Sequence, residues 1–141
     1  MDETVIVIMQ KDEATGFLDK ELASCRVPEN EELIVNIYAA RNGEADYTVH
    51  MKITTDRDAE DWEFDAIYDY YDGETLVPEV SGVTEIEDCF NPTWEITFPF
   101  VNDDDALAEK IASVLKLHKT ELESVYEAIK DSKDEYTNEA V

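Results

Sequence analysis

The chain has 141 residues, 36 acidic, 11 basic and two His, for a formal net charge of -25. That length suits one domain with its own hydrophobic core, and a content of 43% hydrophobic and 10% aromatic residues argues against wholesale disorder. The charge disfavours direct binding to nucleic-acid backbones and to anionic membranes, both of which need clustered Lys and Arg, and leaves basic proteins, cations or no particular partner.

"TVIVIMQ" is rich in β-branched residues and gives way to "KDEATG", so it reads as a strand and a turn. "FLDKELASCRV", with Phe17, Leu22 and Val27 in a less regular pattern, reads as the returning strand of a hairpin and stops at Pro28. "ELIVNIYAA" predicts a buried strand, "RNGE" a tight Asn-Gly turn and "ADYTVHMKI" the antiparallel partner. On that partner Tyr47, Val49 and Met51 share one face, and Thr48, His50 and Lys52 the other.

"DWEFDAIYDYYDGE", residues 61–74, contains one Trp, one Phe, three Tyr and six carboxylates. As a helix starting after Thr55 or Asp56 it would align Ala59, Trp62, Ala66, Ile67 and Tyr70 at three- and four-residue steps. As a strand it would set Trp62 and Phe64 opposite Glu63 and Asp65. The aromatic density favours a strand or irregular backbone through Phe64.

"TLVPEVSGV", with Pro78 and Gly82, predicts an edge or loop, and "TEIEDCF" a short strand. After the turn "NPT", "WEITFPF" predicts a strand with Trp94, Ile96 and Phe98 on one face, ended or held at an edge by Pro99. In "NDDDALAEKIASVLKLHKTELESVYEAIK", the residues Leu107, Ile111, Val114, Leu122, Val125 and Ile129 form a helical stripe, with His118 in its gap. This predicts one helix of about 25 residues, or two broken near His118. The expected fold is α+β: an antiparallel sheet of four to six strands packed against one long, or two shorter, C-terminal helices. Residues 1–132 form a single acidic domain and 133–141 a flexible tail.

No motif assigns a catalytic residue, a metal or a cofactor. Cys25 and Cys89 have no Cys-x-x-Cys spacing, and neither acidic run follows the calcium-loop pattern. The four glycines, at 16, 43, 73 and 82, fit turns rather than phosphate-binding loops. His118 reads as a satisfied core histidine or a helix break. The opening "MDETVIVIMQKDE" carries acids where a signal segment would carry positive charge, and no apolar run spans a bilayer, which together predict a reduced cytoplasmic protein.

Trp62, Glu63, Phe64, Asp65, Asp69, Tyr70, Tyr71 and Asp72 are the candidate binding residues: carboxylates for a basic surface and aromatic rings as anchors. The expectation is a non-enzymatic protein-binding or regulatory domain with a basic protein as partner. One alternative is a DNA-mimic inhibitor of a nucleic-acid-binding protein. Another is a carboxylate-dependent hydrolase pairing Glu63 or Asp65 with Asp69 or Asp72. Three Lys and no acid lie between Lys110 and Lys119. That asymmetry allows the helix to dock on an acidic sheet of its own chain or of a second copy in a homodimer.

Overall fold

A computed structural model describes residues 4–11, 14–27, 30–42, 46–77, 79–86 and 89–133. The first hairpin joins β1 (Thr4–Lys11) to β2 (Leu18–Val27), antiparallel as expected. Register shifts after Ile8 and after Gln10 bulge the pair, which adds local twist. Ile8, Ala23, Cys25 and Val27 turn into the core, whereas Phe17 is 74% exposed and contributes nothing to it. Pro28 lies outside the described residues.

A 3-10 turn at Glu31–Leu33 buries Leu33 and leads into β3 (Ile34–Asn42), which pairs antiparallel with β4 (Asp46–Thr54). Asn42 opposes Asp46; the expected Asn-Gly turn between them falls on residues 43–45, outside the described set. β3 is not buried throughout as expected: Ile37 and Ala39 face inward, but Val35 is 53% exposed because only one face of the sheet is covered. β4 shows the matching alternation, with Val49, Met51 and Ile53 fully buried.

The segment after β4 departs from its expectation. Residues 61–70 form α1 (Asp61–Tyr70), a helix rather than a strand or irregular backbone. It begins four or five residues later than the helical alternative placed it, because Thr55 Oγ1 donates to the carbonyl of Arg57 and Asn91 Oδ1 accepts from Ala59 N, holding that stretch non-helical. The Glu63 carboxylate reaches back to the backbone N–H of Glu60 at 2.9 Å, which is one half of a capping box. The aromatic residues that suggested a strand pack as ring pairs around this helix: Phe64 on Tyr68, and Tyr68 edge-on to Trp94.

β5 (Gly82–Ile86) and β6 (Thr93–Pro99) complete a six-stranded sheet in the order β2-β1-β3-β4-β6-β5. Pro78, in the stretch leading to β5, is outside the described residues. All neighbouring pairs are antiparallel except β1 and β3, which touch in parallel at Gln10 and Ala39. The connection from β2 carries the chain past β1 to its far side, and β3 therefore runs alongside β1. Trp94, Ile96 and Phe98 share the buried face of β6, and Pro99 ends the strand.

α2 (Asp104–Ile129) is one unbroken helix of 26 residues. Asp103 caps it, its carboxylate accepting from the N–H groups of Asp105 and Ala106 at 3.0 and 3.1 Å. The predicted stripe is buried, with Leu115 and His118 added to it. The core therefore lies between one face of the sheet and the two helices; on the other face Val5, Val7 and Val35 meet solvent. Residues 134–141 of the expected tail are outside the described set. No helix among the described residues is long and apolar enough to cross a membrane.

Candidate functional site

Helical geometry divides the acidic-aromatic segment into two faces. Trp62 and Phe64 are half-buried, while Glu63, Ala66 and Ile67 are buried, as is Tyr71 just past the C-terminus of α1. Asp61, Asp65, Asp69 and Tyr70 face outward, and Asp72 is exposed beyond the helix. The eight candidate residues therefore do not meet in one place. Asp61, Asp65 and Asp69 form a row at four-residue steps, about 6 Å apart along the axis, with Tyr70 45% exposed beside it.

Glu63, on the inner side, is 5% exposed and held on both oxygens. One accepts from Glu60 N and the other meets Arg57 Nη2 at 2.7 Å. The Arg57 guanidinium also lies 4.2 Å from the ring centroid of Tyr126 on α2, a cation–π contact. Tyr126 in turn donates its hydroxyl to Asp56 at 3.0 Å, and Asp56 pairs with Lys119 at 3.1 Å. Burial alone would raise the Asp56 carboxyl; the hydrogen bonds from Lys119 and Tyr126, with the Lys119 charge, outweigh it and hold the group below the usual range. The Tyr126 phenol is pushed up to about 12 by burial and by the Asp56 carboxylate. Asp56, Arg57, Glu63 and Tyr126 wall, with Trp62, a groove of about 700 Å³ between the start of α1 and the C-terminal half of α2. Arg57 and Tyr126 carried no sequence signal, since neither belongs to a motif and they meet only across the fold.

Tyr71 lies deeper. Its hydroxyl is 2.7 Å from His118 Nδ1, and His118 Nε2 is 2.7 Å from the carbonyl oxygen of Thr54. A carbonyl only accepts, so Nε2 carries the proton of the neutral ring and Nδ1 accepts from Tyr71. Burial pushes His118 down to about 4 against the pull of Thr54 and Asp56, and pushes the Tyr71 phenol well up, with the Glu121 charge adding. Trp94 stacks on Tyr71 at 4.2 Å and meets His118 edge-on at 5.4 Å. Of the two readings of His118, the satisfied core residue is the one observed.

A second groove, of about 520 Å³, opens between the 3-10 turn at Gly73–Thr75 and the sheet edge at β5. Tyr71, Val77, Val83 and Trp94 supply its apolar lining, and Glu74 and Glu85 its charge. A Cβ on Gly73 would stand 3.2 Å from Val83 Cγ1, so glycine lets the turn close on the strand. Tyr68 fixes the same corner, donating to the carbonyl of Ile86 and accepting from the N–H of Thr93.

Charge is distributed unevenly around these features. From Asp58 to Glu109 the chain has 52 residues with 17 carboxylates and no Lys, Arg or His. That run contains α1, β5 and β6, and two of its carboxylates meet cations from outside it, Arg57 on Glu63 and Lys110 on Glu79, while Glu95 lies 3.3 Å from His50 Nδ1. Lys110 and Lys119, two of the three lysines on the less acidic part of α2, thus meet acids of their own chain.

Cys25 is a free, buried thiol. Burial, with the Asp104 charge, pushes Cys25 up to about 11, so it is not poised as a nucleophile. Among the described residues no group of three or more His, Cys, Asp or Glu is placed to hold a metal ion. The chain belongs to a family described as of unknown function, DUF6762, whose model matches residues 1–137. No curated protein and no solved structure matches it.

Proposed function

We propose that this member of that family is a non-enzymatic cytoplasmic binding or regulatory domain whose α1 and β5 end receives a basic protein. The observation that carries the reading is the outward row of Asp61, Asp65 and Asp69 beside the exposed Tyr70, set in a run of 52 residues that supplies no cation. Like-charged groups on one surface repel each other and favour whatever neutralises them, and an exposed aromatic ring adds area that a partner can bury. Complementary charge of this kind raises association rates and selects among partners more than it raises affinity.

A narrower form of the reading is a DNA-mimic inhibitor, in which the carboxylate row takes the place of phosphates in the groove of a nucleic-acid-binding protein. The regular four-residue spacing along α1 supports it. The carboxylate hydrolase draws less support, because Asp65, Asp69 and Asp72 are exposed and Glu63 is occupied by Arg57 and the helix cap.

The test is affinity capture from lysate at about 150 mM and about 500 mM salt, where screening separates specific from diffuse attraction, using wild type and an Asp65→Asn, Tyr70→Ala variant. One stoichiometric basic partner that survives high salt and is lost with the variant is expected. A crowd of basic proteins released together at high salt would sink the reading. Displacement of the captured partner by duplex DNA would select the mimic form.

A further inference from the structure

The two edges of the sheet are finished differently, and the difference bears on how a partner is held. β2 carries Lys20 and Arg26, and its pairing with β1 is bulged; charges and bulges are the usual protections of an edge. β5, Gly-Val-Thr-Glu-Ile, has no Lys, no Arg and no Pro. Among the described residues it pairs with β6 alone. Its outer row of backbone donors and acceptors runs beside the groove of about 520 Å³ closed by Gly73–Thr75.

The geometry points to strand addition at β5: an extended segment of a basic partner pairs with the outer edge and sets alternate side chains over this groove. The inference rests on the binding function proposed above and supplies its mode. Successive residues of a strand alternate faces, so Val83 and Glu85 share the face on which Val83 meets Gly73. A segment residue opposite Val83 then meets the apolar lining of Val77, Tyr71 and Trp94, while one opposite Glu85 meets a carboxylate, with Glu74 also on the groove wall. Opposite charges across neighbouring strands attract. The recognised pattern is accordingly an apolar residue and a Lys or Arg with one residue between them. Main-chain bonds supply affinity in such a mode, and the alternate side chains supply selectivity. A second copy of this chain is a poorer occupant, because a chain of net charge -25 would place its own Glu85 against the same carboxylates.

The probe is the end-capped nonapeptide Thr-Val-Thr-Lys-Thr-Val-Thr-Lys-Thr, which sets Val and Lys on the same face with one residue between them, measured by fluorescence anisotropy with full-length protein at about 150 mM salt. A control peptide has the same composition and charge but is N-methylated at alternate backbone nitrogens, so that it cannot form the ladder. The plain peptide should bind about tenfold tighter or better, a gap of one decade in Kd. Glu85→Lys should remove that advantage, and Glu21→Gln, an exposed carboxylate on the opposite edge strand β2, should leave it. Val77→Ser, which removes apolar lining at a position 53% exposed without adding charge, should weaken the plain peptide alone. Equal binding of both peptides would overturn strand addition while leaving a charge-based acidic surface intact. Binding of neither would also overturn it, with lysate capture then deciding the broader function separately. A concentration-dependent dimer in sedimentation, abolished by Glu85→Lys, would overturn it in favour of a second copy.

Discussion

α2 and α1 lie against the same face of the sheet and are held there by different means. α2 buries eight residues along 26, from Leu107 to Ile129, and its hold is the apolar area of that stripe. α1 buries three along 10, one of them the carboxylate Glu63, and is fastened at points: Glu63 to Arg57, Tyr68 to the β5–β6 corner, and Tyr71 just beyond its end to His118. A helix as short as α1 is marginal by itself. With the point contacts on its inner side, its outer face carries Asp61, Asp65 and Asp69 exposed.

That contrast sets a scale of effects. The largest is in the α2 stripe: Ile111→Ala removes a fully buried side chain and should cost about 2–5 kcal/mol in urea denaturation. A loss under about 1 kcal/mol, within the range of an ordinary surface change, would mean that α2 does not anchor the core.

Smaller, and tied to the junction of the two helices, is His118→Gln. It disturbs the bonds to Tyr71 and Thr54 and should cost about 1–3 kcal/mol near neutral pH. The pH dependence identifies the cause. The His118 pKa falls from 6.5 to about 4 in the folded protein, so the unfolded chain takes up the proton first. The histidine's contribution is therefore full above pH 6.5, declines as pH falls through the interval down to about 4, and is level below it. The stability gap between wild type and His118→Gln should narrow over that interval; a gap constant with pH would show that His118 is not a buried neutral ring.

The smallest effect belongs to the outer face of α1. The Asp65→Asn, Tyr70→Ala variant should unfold within about 0.5 kcal/mol of wild type while losing its partner. If it unfolds much more easily, the outer face of α1 is structural and the contrast with α2 collapses.

Much of this architecture was legible as periodicity. The alternation in "WEITFPF" put Trp94, Ile96 and Phe98 inside, and the helical stripe of α2 left His118 in its gap, as a core residue or a break. α1 was harder to read because its aromatic density matches strand preference as well as a helical pattern. The start of the helix depends on Asn91, 32 positions from Ala59, holding the preceding backbone. In the candidate site, the acidic charge could be read directly. The fate of each carboxylate could not: Glu63 and Asp65 are two residues apart, yet one is paired inside with Arg57 and the other faces water.

The sequence by itself determined the charge, the α+β class and the inward faces of β4, β6 and α2, since composition and periodicity are properties of neighbouring residues. Only the tertiary structure decided the place of β6 between β4 and β5, the parallel contact of β1 with β3, and the meeting of Tyr71, Trp94 and His118. Those depend on which distant surfaces bury each other best. Tyr71 and His118 are 47 positions apart, and no local pattern spans that interval; packing and the need to satisfy buried polar atoms bring them together.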